Sequence, residues 1–120
     1  DGYQVSSFMN LVFVTNKGIS FGLLSNYNMS FYLGILSLII CLVIVYWILK
    51  SKEKKESIPL SLILGGALGN GFDRLKDNYV IDFLDFHVLD FHWPAFNLAD
   101  SFITIGAVLF IFLNLLKKNE

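Results

Sequence analysis

From Phe31 to Leu49 the chain reads FYLGILSLIICLVIVYWIL, nineteen residues without a charge. As an α-helix this run would be roughly 28 Å long, close to the hydrocarbon thickness of a bilayer. A chain of 120 residues supports one domain, and a soluble domain of that size would have to hide the whole run. The run therefore sets the solvent in which everything else must fold. Two further apolar stretches fit the same solvent. Ile58 to about Phe72 is shorter and rich in small residues, with Gly65 and Gly69 four apart and Ala67 and Gly71 four apart, a spacing that brings helices into close contact in lipid. Ala99 to Leu116 is apolar after Asp100 and stops at Lys117 and Lys118. The expected fold class is mainly α and integral to a membrane, a bundle with three spans present.

The formal net charge of −1 conceals an uneven distribution. Lysines crowd into Lys50 to Lys55 and into the tail after Leu116, and short basic loops stay on the cytoplasmic side. Two spans separate these segments, so both can lie on one side. Residues 1 to 30 and about 75 to 98 then face outward. An outward N-terminus normally follows a preceding span, so a first transmembrane helix is expected to be missing ahead of Asp1. Phe8 to Val14 and Ile19 to Leu23 are rich in β-formers and flank Thr15-Asn-Lys-Gly18. That pattern predicts a small outward-facing β-hairpin. Trp93-Pro94 marks a turn at interface depth.

Acidic residues beside membrane spans are costly unless they face a partner, a cavity or a reaction. Asp73, Asp82, Asp85 and Asp100 qualify. Asp73 precedes Arg74 and the two would neutralise each other locally. Asp100 opens an apolar helix, where a carboxylate serves equally as a helix cap or as a reactive group. Asp82 and Asp85 fall in a short amphipathic segment, Tyr79 to Asp90, where solvated carboxylates are the ordinary explanation. His87 and His92 flank Asp90 at a spacing that fits neither a helix face nor a zinc motif, so neither a metal nor any cofactor is expected. Cys41 is the only cysteine, which rules out an intrachain disulfide and a thiol-rich metal site; it reads as a packing residue. No basic stripe with interleaved aromatics marks a nucleic-acid partner. From these residues alone, a protease, a small transport or proton-relay subunit and a structural membrane subunit all stay open.

Four stretches narrow the choice: Asn16-Lys-Gly-Ile-Ser-Phe-Gly22, Gly65-Gly-Ala-Leu-Gly-Asn-Gly-Phe-Asp-Arg74, Val80-Ile-Asp-Phe-Leu-Asp-Phe86 and Phe96-Asn-Leu-Ala-Asp100. In order and spacing they resemble lipoprotein signal peptidase, also called signal peptidase II. The resemblance implies a four-helix membrane protein with a small extracytoplasmic β-cradle in the bacterial inner, or cytoplasmic, membrane. It implies an aspartyl endopeptidase that cleaves signal peptides from prolipoproteins before a diacylglyceryl-modified cysteine, with membrane lipids as its surroundings. By motif position the catalytic aspartates would be Asp82 and Asp100, and the polar substrate-binding residues Asn16, Asn70, Arg74 and Asn97. Asp73 would be a structural support beside them. The family's first helix has no counterpart in the sequence.

Overall fold

The computed structural model describes residues 2–17, 29–93 and 96–118. In chain order the elements are β1 (Tyr3–Gln4), β2 (Met9–Asn16), α1 (Ser30–Lys50), a 3-10 turn (Lys54–Glu56), α2 (Ser57–Asp77), β3 (Val80–Val88), β4 (Phe91–His92) and α3 (Leu98–Lys118). Each helix has 21 residues, roughly 30 Å of rise. Helices α1 and α3 are long and apolar enough to cross a membrane.

Helix α2 is the centre of the bundle and packs against both α1 and α3. Small residues permit this. A Cβ on Gly66 would stand 2.5 Å from the Ala99 carbonyl oxygen in α3, and one on Gly106 would stand 2.7 Å from the Pro59 carbonyl oxygen in α2. Gly71 approaches Ser37 of α1 in the same way. The expected pair Gly65 and Gly69 does not form this contact: a Cβ on Gly65 would meet nothing within 4 Å, and one on Gly69 only Ala99 Cβ at 3.9 Å. The other expected pair, Ala67 and Gly71, is buried in the bundle, and Gly66 joins it because α2 has neighbours on two sides. Outside these contacts the apolar side chains face away from the protein. Leu42, Leu49 and Ile58 are among many that are exposed.

The sheet has four strands in the order β1-β2-β3-β4, antiparallel at every pairing. Strand β2 lies beside β3 with Asn10 opposite Asp85 and Val14 opposite Asp82. Between Leu11 and Val14 the register shifts, so β2 carries one extra residue there. A bulge of this kind exchanges the two faces of the strand that carries it. Asn10 and Asn16 would otherwise share a face; the bulge sends them to opposite ones. The expected first strand of the hairpin is thus present, but its described partners are β1 and β3. Thr15 and Asn16 extend the strand instead of turning. Ile19 to Leu23, and part of the first motif, lie outside the described residues. Tyr79 to Asp90, expected as an amphipathic surface segment, is mostly strand β3 and its turn.

Two junctions set the position of the site. Helix α2 ends at Asn78, whose φ of 67° is left-handed and whose N–H bonds the Arg74 carbonyl at 2.9 Å; asparagine tolerates that conformation better than most residues. The chain then enters β3 at Val80, which is buried. Ahead of α3, Leu84 N–H donates to Phe96 O at 2.8 Å and Phe96 N–H to Leu84 O at 3.1 Å. This bridge holds the start of α3 against the middle of β3.

Candidate active site

Most buried side chains in a small protein are apolar, yet here the buried set includes Asn16, Ser30, Arg74, Asp82 and Asn97. They meet where the ends of β2, β3 and α2 reach the start of α3. Asn97 is the organiser. It occupies the N-cap position of α3, and its Oδ1 accepts the Asp100 N–H at 3.0 Å while Asp100 Oδ2 accepts the Asn97 N–H at 3.2 Å. This is a reciprocal capping box. Because Oδ1 performs the capping, Nδ2 is left to bond elsewhere, and it donates to Asp82 Oδ1 at 3.1 Å and to Asn70 Oδ1 at 3.3 Å. Asn97 thereby touches both carboxylates, Asp100 through its backbone N–H and Asp82 through its side chain, and ties them to Asn70 of α2. Of the two capping roles expected of Asp100, N-cap or first-turn anion, it takes the second: the N-cap is Asn97, and Asp100 lies in the first turn of α3.

Asp82 receives a second donor, Asn16 Nδ2 to Oδ2 at 3.1 Å, and Asp100 receives Asn70 Nδ2 to Oδ1 at 3.2 Å. Each carboxyl oxygen of the pair therefore has one N–H donor. Arg74, on the last turns of α2, is buried and donates from Nη1 to Ser30 Oγ at 3.1 Å; its charge acts on both Asp82 and Asp100. Burial pushes the Asp82 carboxyl from 3.8 up to about 6, the Asp100 charge pushes the same way, and bonds from Asn16 and Asn97 with the charge of Arg74 oppose it. A carboxyl near 6 beside a second acid suits proton exchange close to neutral pH.

The structure thus brings together Asp82, Asp100, Asn16, Asn70, Arg74 and Asn97. Asp73 is not among them. It is exposed on α2, and its side chain makes no hydrogen bond or ion pair among the described residues, so it lies outside this group. Successive helix residues point about 100° apart, and burying Arg74 turns Asp73 outward. Asp85 was expected to be solvated and is instead nearly buried. Residues an odd number apart on a strand point to opposite faces, and its partners are Asn10, whose Nδ2 donates to Oδ2 at 3.1 Å, and His92, whose Nδ1 lies 2.8 Å from Oδ1. It belongs to a separate cluster. Ser30 is the member sequence reasoning missed; a lone serine ahead of an apolar run gives no signal of its bond to an arginine 44 positions away.

Known proteins with the same organisation are found by sequence and by shape. The family described as "Signal peptidase (SPase) II" matches residues 2–116. The lipoprotein signal peptidase of Francisella tularensis subsp. novicida is 46% identical, covering 98% of this chain and 76% of that protein. That of Anaplasma phagocytophilum is 45% identical, covering 97% and 75%. Two bacterial membrane enzymes solved by the in meso method superpose with TM-scores of 0.86 and 0.79 at 34% and 35% identity. They cover 100% and 96% of this chain, and the chain covers 73% and 75% of theirs. The apolar helices with outward-facing side chains fit the membrane setting of those enzymes, and by sequence and fold alike the chain belongs to the signal peptidase II family.

Proposed function

We propose that this chain is a single membrane-embedded domain of an aspartyl endopeptidase. It would cross the bacterial inner membrane with α1, α2 and α3 and place its site on the extracytoplasmic side. Its substrates are prolipoproteins bearing a diacylglyceryl cysteine, cut on the N-terminal side of that residue. The observation that carries this reading is the link Asp82–Asn97–Asp100: two carboxyls, each given two N–H donors, tied by one residue that reaches Asp82 with its side-chain amide and Asp100 with its backbone N–H.

Two neighbouring carboxylates do not both ionise cheaply, so the pair holds one proton and titrates as a unit. In the reactive form Asp82, the more deeply buried of the two, carries that proton and donates it to the scissile carbonyl oxygen. Asp100 takes a proton from the attacking water. Asn16, Asn70 and Asn97 orient the carboxyls and offer amide groups to the substrate backbone, while Arg74 offsets the negative charge that develops. The lipid chains of the substrate lie along the exposed apolar faces of the helices, among membrane lipids.

A transport or proton-relay subunit would carry its acids at mid-span. Here Asp82 is on strand β3 and Asp100 in the first turn of α3, which favours hydrolysis of a peptide presented at the membrane surface. Mass spectrometry of a lipidated prolipoprotein incubated with the purified protein tests the reading. The expected product begins at the lipidated cysteine, and the unlipidated precursor is cut far more slowly. Equal cutting of both substrates, or of neither, overturns the assignment.

A further inference from the structure

On the other face of the sheet from Asp82, three residues the hydrolytic reading does not use come together. Asp85 and His87 lie two apart on β3 and so share a face. His92 on β4 is the cross-strand partner of His87, brought back by the tight turn at Leu89 and Asp90. Linear spacing hides this set, because five residues apart is not a helix-face interval. In a two-residue hairpin it is the interval of directly opposed residues.

The geometry points to a site for a divalent transition-metal ion of the zinc class, held by Asp85, His87 and His92. One ligand atom from each residue can be chosen so that all lie within 4.8 Å of one another. A zinc-like ion about 2.0–2.2 Å from nitrogen and oxygen donors would draw in the more distant of them by roughly 1 Å and replace the direct His92–Asp85 contact, now 2.8 Å. The His92 side chain is 48% exposed, which leaves it room to move. Two imidazoles and one carboxylate form a borderline-soft donor set that suits zinc, copper or nickel better than magnesium or calcium. His87 Nδ1 is shut off from solvent and has no hydrogen-bond partner among the described residues. An unsatisfied buried polar atom costs on the order of 1–3 kcal/mol, and coordination through that nitrogen removes the cost. Asn10 Nδ2, bonded to Asp85 Oδ2 at 3.1 Å, then orients the carboxylate from behind, as supporting partners of metal ligands do. None of these residues bonds to the Asp82–Asp100 pair, so the ion pins β4 to β3 and supplies no hydrolytic water.

The test is titration of tag-free protein in detergent at pH 7.5 with ZnCl2 against a chromophoric chelator. One ion per chain is expected, with His87→Ala and His92→Ala each weakening binding at least tenfold. Zinc should raise the melting temperature of the parent and not of these variants. A readout independent of mutation is electron paramagnetic resonance of one Cu2+ equivalent bound to the parent, which should show two nitrogen donors. Sub-stoichiometric zinc, unchanged affinity in both histidine variants, or a copper spectrum with fewer than two nitrogens overturns the site.

Discussion

Asp82→Asn should make the folded protein more stable at neutral pH while abolishing its activity. Asp82 is 3% exposed, and its carboxyl lies at about 6 in the fold against 3.8 for an ordinary aspartate. Between these values the folded state binds more protons than the unfolded state, so stability falls as pH rises through the window. Below about 4 both states are protonated and the penalty is absent. Above about 6 it is fully present, and an elevation of this size is worth on the order of 3 kcal/mol. Asparagine has no proton to lose and still offers an acceptor to Asn16 or Asn97, so the variant escapes the penalty, less about 1 kcal/mol for one rearranged hydrogen bond. Denaturation of parent and variant in detergent at several pH values between 4 and 8 reads the difference. The expected gap is near zero or slightly negative at pH 4 and grows to roughly 2 kcal/mol by pH 7. A gap that does not change with pH, or one that narrows as pH rises, refutes the claim that burial holds a proton on Asp82.

Three other outcomes follow from the geometry. Gly66→Val and Gly106→Val should each cost at least about 2 kcal/mol, because a Cβ there already collides with a backbone carbonyl; thermal melts that match the parent would show that α2 and α3 are not packed this closely. Asn97→Ala removes the N-cap and the amide donor to Asp82 and Asn70, so it should lose about 1 kcal/mol of stability and at least a hundredfold in cleavage rate, whereas Asn97→Ser should recover the stability and not the rate; recovery of both by serine contradicts a role for that donor in the site. In intact cells, a cysteine placed at Glu53 should resist impermeant thiol reagents if the lysines from Lys50 to Lys55 hold that loop on the cytoplasmic side, and ready labelling from outside would invert the topology.

The sequence made the helices legible where hydropathy is uninterrupted. Phe31 to Leu49 became Ser30–Lys50, and Ala99 to Leu116 became Leu98–Lys118. Helix α2 ran five residues past its expected end at Phe72, because Arg74 is polar yet faces inward and so continues the helix. Strand β3 was not read as a strand. Its alternation sends Asp82 to one polar cluster and Asp85 to another, and those clusters are completed by Asn16 and Asn10, 66 and 75 positions away. No local window contains that information. The same limit explains Asn97, whose motif placed it in the site but gave no hint that capping α3 with the amide oxygen leaves the amide nitrogen to bond Asp82 and Asn70. The gathering of Asp85, His87 and His92 was hidden for a related reason: an interval of five fits neither a helix face nor a zinc finger, and only the hairpin register makes it an opposed pair.

The central claim is that Asp82 and Asp100 act as one catalytic unit, and the most direct measurement is the cleavage rate of a lipidated prolipoprotein by Asp82→Asn, Asp100→Asn, the double variant and Asp85→Asn, with folding checked by thermal melts. Asparagine keeps the size of the side chain and can keep the capping-box acceptor at Asp100, but it cannot exchange a proton. The account predicts that each single variant is nearly as inactive as the double, that both remain folded, and that Asp85→Asn retains substantial activity. Cleavage near the parent rate by Asp100→Asn, or equal inactivation by Asp85→Asn in a folded protein, would contradict it.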